Sequence, residues 1–475
     1  MNRIRIAMLI LCGCLLPAAE FAVSQIFGDH MVLQRGQPIQ VWGTASPGAE
    51  VAVVIAGQSA VAKSDATGAW VTTIPALAAS GPHKLEVRCA GASRILSEVM
   101  IGDVWLASGQ SNMVFALGAT NAWADVRGKG TFPAIRVCKL PGTHAMSPTE
   151  SFARDVPWAV LDSARANNFS AVAYYFATTV QPVVQVPIGV IQASCGGTMA
   201  EQWTPEAALR ANDPQSRTFA DRQKMQARLA ADPSAKTGPM EAGAAALYNG
   251  TIHPLHRLKF AGVLWYQGEA NTRSKDDYKP RLINLVRSWR ELFGQAELPW
   301  IVVQLPGFGL PKDDGWMRLQ EAQRLAAQEL NLPLVVTIDQ GSKETIHPSN
   351  KSEVGRRAGL AALQHVYRQQ IDGSSPRPTS LRFEGGSAVV EFSAELSVQG
   401  EVIAGFELAG LGGAFAAATA RAAGRVVTVR APGVVEPTAI RYLWVHSPEA
   451  VTLFGPGGLP VGPFRFGGDA PQVTP

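Results

Sequence analysis

Five short, almost uninterrupted apolar runs recur between residues 99 and 372, at 103–107, 187–193, 260–266, 300–305 and 333–338. A strand with one wet face alternates apolar and polar side chains. A run that is apolar at nearly every position must be covered on both faces. That constraint points to an α/β region, with a parallel sheet carrying helices on both faces. Helix-spaced segments lie between the runs. The clearest begins near Asp276, where Tyr278, Leu282, Leu285, Trp289 and Leu292 recur at three- and four-residue steps and Gly294 supplies a stop. Residues 206–245, rich in Ala, Gln, Arg and Asp, read as a helical insertion between strands.

The flanks carry a different pattern. Residues 24–98 read as a small antiparallel β-sandwich. There "AEVAVVIAG" (49–57) and "GAWVTTIPA" (68–76) are β-branched runs bounded by turn residues, and "HMVLQRGQPIQVWG" (30–43) supplies the first strands. β patterning returns in residues 373–475, with "SAVVEFS" (387–393) and "GRVVTVRAP" (424–432). A chain of 475 residues is too long for one core, so three regions are the expected division: 24–98, 99–372 and 373–475. Residues 1–23 read as a secretory signal peptide, with Arg3 and Arg5, an apolar run to Leu16, then small residues. The expected location is therefore outside the cytoplasm, periplasmic or extracellular, with Cys14 as an alternative point of lipid attachment. No other stretch approaches membrane-spanning length.

Charge and cysteine content narrow the function classes. A net charge of +4 with no Lys/Arg block argues against nucleic acid as the main partner. Beyond the leader only Cys89, Cys138 and Cys195 remain, which is neither a disulfide framework nor a zinc pattern. Cys89 and Cys138 are expected as small buried thiols, and no metal site is expected.

In an open α/β sheet, ligands gather beyond the C-terminal ends of the parallel strands. Four of the five runs end in polar or glycine-rich clusters: Ser108-Gly109-Gln110-Ser111-Asn112, Ser194-Cys195-Gly196-Gly197-Thr198, Gln267-Gly268-Glu269-Ala270-Asn271, and Asp339 followed by "GSKETIHPSNK". Ser111 is a weak nucleophile unless a base takes its proton. Of eight histidines, His347 is the one expected on a loop at this edge, while His253 and His256 read as structural. Gly196 or Gly197 can offer a backbone N–H to a developing oxyanion, as can Ser111 itself, and Gln267 or Asn271 a side-chain amide.

The stretches "GDVWLASGQSNM", "PIGVIQASCGGTMAEQWTP", "LYNGTIHPL", "GVLWYQGEAN" and "IHPSNKSEVGRR" resemble, in that order, the sialate O-acetylesterase family of the SGNH hydrolases. The N-terminal "FGDHMVLQRGQPIQVWG" and C-terminal "IRYLWVHSP…GLPVGPFR" are also similar, so the resemblance covers nearly all of the mature chain. It implies an SGNH, flavodoxin-like sheet and an exported esterase that removes O-acetyl groups from sugars without metal or cofactor. It also implies Ser111 as nucleophile, His347 as base, and Gly196 or Gly197 with Gln267 as oxyanion donors. Glu269 and Asn271 match the same motif as supports of that loop. Together with Gln110 and Asn112 beside the serine, and with Trp203, they are the candidate substrate contacts. Trp265 and Tyr266 are further wall candidates, Trp265 more readily a core residue.

The chain departs from the family at two places. The family often carries an aspartate two or three residues before the histidine, where this chain has Thr345 and Glu344. Glu344 is the first candidate for the third member of a triad, Asp339 the second, and a Ser–His dyad the third. Cys195 stands where the family often has an aromatic residue, so pocket shape is expected to differ. The expected substrate is an acetylated sugar or oligosaccharide. The alternatives are a hemicellulose (xylan or xyloglucan) acetylesterase using the same residues and a non-catalytic carbohydrate-binding protein on the same scaffold.

Overall fold

The computed structural model describes residues 21–467 apart from 153 and 311. Residues 1–20, with most of the expected leader and Cys14, lie outside the described residues. The main path of the central sheet runs through β1 (Ala92–Gly109), β2 (Thr131–Lys139), β3 (Trp158–Asp162), β4 (Ile188–Ser194), β5 (Gly262–Tyr266), β6 (Trp300–Val303) and β7 (Leu334–Val335). Their spatial order is β3-β2-β4-β1-β5-β6-β7. All neighbours are parallel except the β2/β3 pair at one edge. The apolar runs foretold β1 and β4 to β7. They did not foretell β2, whose sequence mixes charged and apolar residues, or β3, a five-residue strand at the edge.

Helices cover both faces. Five bear on the site: α1 (Ser111–Val114), α2 (Ala171–Val184), α3 (Tyr278–Leu292), α4 (Gly315–Glu329) and α5 (Ser352–His365). Trp105 of β1 meets Phe176 of α2, with ring centroids 4.7 Å apart. Trp265 and Trp300, of β5 and β6, pack on Trp289 of α3 at 6.0 and 5.2 Å. Trp105 pairs with Gly262 in the register and Ser108 with Trp265. An odd spacing along a strand reverses the face, so the two aromatic groups lie on opposite sides. On the first side α5 crosses α2 closely, because a Cβ at Gly355 would stand 2.5 Å from Tyr175 Cβ. That crossing fixes the helix that follows His347.

One strand joins two regions. β1 is 18 residues long. Its first half pairs antiparallel with Ser80–Cys89, and its second half lies between β4 and β5. The division expected at 98/99 falls inside this strand. Arg35 reinforces the junction with two bonds of 2.9 Å to Asp103, and Gln34 Oε1 accepts the Val104 N–H at 2.8 Å. The strands expected at 49–57 and 68–76 form at Glu50–Ile55 and Ala69–Ile74. Val32–Gln34 departs from the all-antiparallel expectation by pairing parallel with β1. Cys89 and Cys138 are free, buried thiols.

At the other edge, the run expected to form a strand at 333–338 stops at Val335. Val336 and Ile338 turn away into the core of the C-terminal β region, beside Phe406, Tyr442 and Phe464. That region contains the strands expected at 387–393 and 424–432, as Ser387–Phe392 and Val426–Arg430. Among the described residues no helix is long and apolar enough to cross a membrane.

Gly109 ends β1 at φ +137°, and a Cβ there would lie 2.0 Å from Tyr266 O. Replacement by alanine must push β1 and β5 apart. Gly109→Ala is therefore expected to destabilise the fold by about 3 kcal/mol, read by denaturant unfolding. An unchanged midpoint would contradict this close approach.

Candidate active site

Three parallel strand ends are stitched together beneath the serine. Gln110 N–H donates to Tyr266 O at 3.0 Å, and Cys195 N–H donates to Gly109 O at 3.1 Å. The chain then turns at once into α1, which leaves Ser111 half-buried at the mouth of the sheet. Gly196 sits beside it, close enough that a Cβ on Gly196 would touch Ser111 Cβ at 3.7 Å. Gly197 is exposed, and Met240 of the long insertion leans on it. Among the described residues, the backbone N–H groups of Ser111, Gly196 and Gly197 have no protein acceptor.

Behind this mouth lies a buried amide frame. Gln110 Oε1 accepts from Gln267 Nε2 (3.2 Å) and Ala270 N–H (3.1 Å), and Gln110 Nε2 faces Ser111 Oγ at 3.5 Å. Gln267 is expected from sequence as an oxyanion donor, but its amide hydrogens are directed elsewhere. Besides Gln110 they face Asn271 Oδ1 (2.7 Å) and Thr198 O (3.1 Å), and Tyr278 OH donates to its Oε1 (2.9 Å). A primary amide has two hydrogens, so Gln267 has none left for a ligand. Asn271 in turn donates to Glu201 Oε2 at 2.8 Å and accepts from Ala200 N–H at 3.1 Å. Glu201 also faces Arg281 of α3 at 3.1 Å, both side chains buried. These residues brace the loops from inside.

The histidine loop is tied to the serine loop through Asn112. Its Nδ2 donates to Ile346 O at 3.0 Å and to Glu269 Oε1 at 2.5 Å, and its Oδ1 accepts from Lys351 Nζ at 2.6 Å. His347, next after Ile346, is half-buried and stands over Phe115, with ring centroids 6.5 Å apart. Burial, and then the charge of Lys351, push its imidazolium below the usual 6.5. Burial pushes the Lys351 ammonium down to about 8, against an opposing pull from Glu269. Burial also raises the Glu269 carboxyl above its ordinary value.

Several expected placements need correction. Glu344 does not stand behind the imidazole. Its exposed carboxylate accepts from Ser342 Oγ (2.8 Å), while that oxygen takes the N–H groups of Glu344 (3.1 Å) and Thr345 (3.2 Å) in a local turn. Asp339 is held by both terminal nitrogens of Arg357 at 2.6 Å. Among the described residues the His347 ring has no hydrogen-bond partner, neither a carboxylate nor Ser111 Oγ. Trp203, expected to line the substrate, is wholly buried; its indole N–H holds Thr198 Oγ1 at 3.0 Å and its ring packs on Trp265. Trp265 and Tyr266 are equally buried. Gln110, Asn112, Glu269 and Asn271 are also interior. Sequence reasoning assigned no role to Lys351, although it lies four residues after His347. A lysine ordinarily reads as exposed, and no local signal marks this one as buried. Phe115 was missed because it reads as core.

Comparison with known proteins defines the class as carboxylic ester hydrolases. The profile of the family described as carbohydrate esterase, sialic acid-specific acetylesterase matches residues 101–364, and the chain belongs to this family. Sialate O-acetylesterase of Homo sapiens is 27% identical over 421 residues, covering 80% of this chain and 78% of that protein. The Mus musculus protein of the same name is 25% identical over 435 residues, covering 80% of each. The crystal structure of a carbohydrate acetylesterase from Xanthomonas citri superposes with a TM-score of 0.85 at 33% identity, covering 94% of this chain and 99% of that one. Carbohydrate O-acetylesterase activity follows from this membership.

A carboxylate that truly backs a catalytic histidine is worth about 10⁴-fold in kcat, whereas Glu344→Gln is expected to leave acetyl ester hydrolysis within about threefold. Steady-state rates on an aryl acetate check this. A loss of several hundredfold would restore Glu344 to the triad.

Proposed function

We propose that this chain deacetylates O-acetylated sugars, sialic acids first among them, with Ser111 as nucleophile and His347 as general base. The observation that carries the reading is the Asn112–Ile346 hydrogen bond, which fastens the residue after Ser111 to the residue before His347. Ser111 Oγ attacks the acetyl carbonyl carbon as His347 takes its proton. The tetrahedral oxyanion is met by the backbone N–H groups of Ser111 and Gly196, with Gln110 Nε2 in the side-chain place expected of Gln267. Collapse breaks the bond to the sugar oxygen, which receives the proton from His347. Water, deprotonated by His347, then attacks the acetyl-enzyme and releases acetate.

The sugar lies on the open side of this mouth, where Phe115, Gly197 and Met240 stand. The charged start, apolar run and small residues of positions 1–22 support export from the cytoplasm.

Ser111→Ala is expected to lower acetate release from O-acetylated sialic acid by about 10⁴-fold or more with the melting temperature kept. Residual activity near wild type would remove Ser111 from the reaction. Acetylated xylan, run beside it, separates substrate classes: a higher kcat/KM on xylan would move the reading to hemicellulose. The acid limb of kcat/KM reports the base in the free enzyme. Because the His347 value is lowered, the imidazole is neutral and competent at a lower pH than usual, so the limb should inflect below 6.5. An inflection above that value would contradict the assignment of the base.

A further inference from the structure

We propose that Lys351, linked through Asn112 to Glu269, is a positioning residue that holds the His347 loop in place and keeps a positive charge in its neighbourhood. The proposal rests on the Ser111–His347 reading above and adds a second, separable claim to it.

The geometry is that of a short chain of buried charged and amide groups. Lys351 is 1% exposed, Asn112 0% and Glu269 6%. The links are 2.6 Å from Lys351 Nζ to Asn112 Oδ1 and 2.5 Å from Asn112 Nδ2 to Glu269 Oε1. The ammonium also lies 5.1 Å from the centroid of Phe115 and 5.9 Å from that of Tyr266, so aromatic faces complete its shell. Glu269 Oε2 is buried with no partner among the described residues.

As a purely structural brace this is a poor arrangement. Burying an ammonium and a carboxylate costs several kcal/mol of desolvation for each, and apolar residues of similar volume are often as stabilising or more so. What the arrangement does supply is position and field. The same Asn112 carboxamide that takes the lysine's hydrogen bond also grips Ile346 O, so moving the lysine releases the histidine loop. The ammonium disfavours the imidazolium, so the base stays neutral between turnovers.

The charged and titratable groups facing His347 bear this out. Lys351 approaches from the start of α5, and Glu269 and the Tyr266 phenol lie behind the lysine on the loop after β5 and at its end. On the histidine's own loop, Glu344 is engaged by Ser342 and Asp339 by Arg357. Lys351 remains charged through the range in which the histidine titrates.

Two variants test the two halves of the claim. Lys351→Met removes charge and hydrogen bond but keeps an unbranched chain against Phe115 and Tyr266. Because small misplacements of a catalytic group cost up to about 10²-fold, kcat is expected to fall by that order with KM changed less than about threefold. The acid limb of kcat/KM should move to higher pH. Lys351→Gln keeps a donor for Asn112 without the charge, so it should recover most of kcat while its acid limb stays raised like that of the methionine variant. Wild-type kcat and an unshifted acid limb in both variants would overturn the proposal. So would a fall in melting temperature with no change in either kinetic quantity. If Ser111→Ala is inactive while both lysine variants behave as wild type, the serine reading stands and only this proposal fails. If Ser111→Ala is active, the serine reading itself fails.

Discussion

The carboxamide of Asn112 joins three loops that the chain brings from strands far apart in sequence, and the candidate active site is the consequence. Its three bonds reach the loop after β5, the loop carrying His347, and the start of α5. Glu269 and Lys351, like the Asn112 carboxamide itself, are buried away from water. An unsatisfied buried polar group costs about 1–3 kcal/mol, more when charged, so the loops are held in one arrangement rather than several. Gly109 makes this possible one step earlier. It lets β1 approach Tyr266 O, and so places Gln110, Ser111 and Asn112 at the seam between β4 and β5.

The mouth and its frame divide the chemistry. At the mouth, Ser111, Gly196 and His347 are half-buried and short of partners. In the frame, Gln267, Asn271, Glu201 and Arg281 are buried and bonded to one another. This is the division expected of a preorganised site, where reacting groups keep free valences and their supports have none. The charge that acts on the histidine is that of Lys351. A carboxylate would stabilise the imidazolium, whereas the ammonium favours the neutral base and shifts the working range toward lower pH.

Much of this was legible in the sequence, and the part that was not has a physical reason. Runs buried on both faces announce themselves by composition, so β1 and β4 to β7 were found, and with β1, β4, β5 and β7 the strand-end clusters that hold Ser111, Gly196, Gln267 and His347. β2 was not, because it mixes charged and apolar residues, and neither was β3, a five-residue strand at the edge. The length of β7 was overestimated, since an apolar run does not say whether Val336 and Ile338 serve the central sheet or the neighbouring core. Which motif residues lie in the interior was read least well. Asn112, Glu269, Asn271 and Trp203 are buried, and a pattern of letters cannot tell a buried motif residue from one at the surface of a site. Glu344 went to a local turn because Ser342, two residues away, outcompetes a histidine three residues away. Lys351 stayed hidden because its burial depends on contacts with Phe115 and Tyr266, remote in sequence.

The central claim is that Ser111 is the nucleophile of an acetyl ester hydrolase, activated at this mouth. Its most direct test is covalent labelling with a fluorophosphonate ester, followed by peptide mapping. The account predicts one label per chain, carried on Ser111, with loss of acetate release in proportion to labelling. A label on another residue, or full acetate release from protein fully labelled at Ser111, would contradict it.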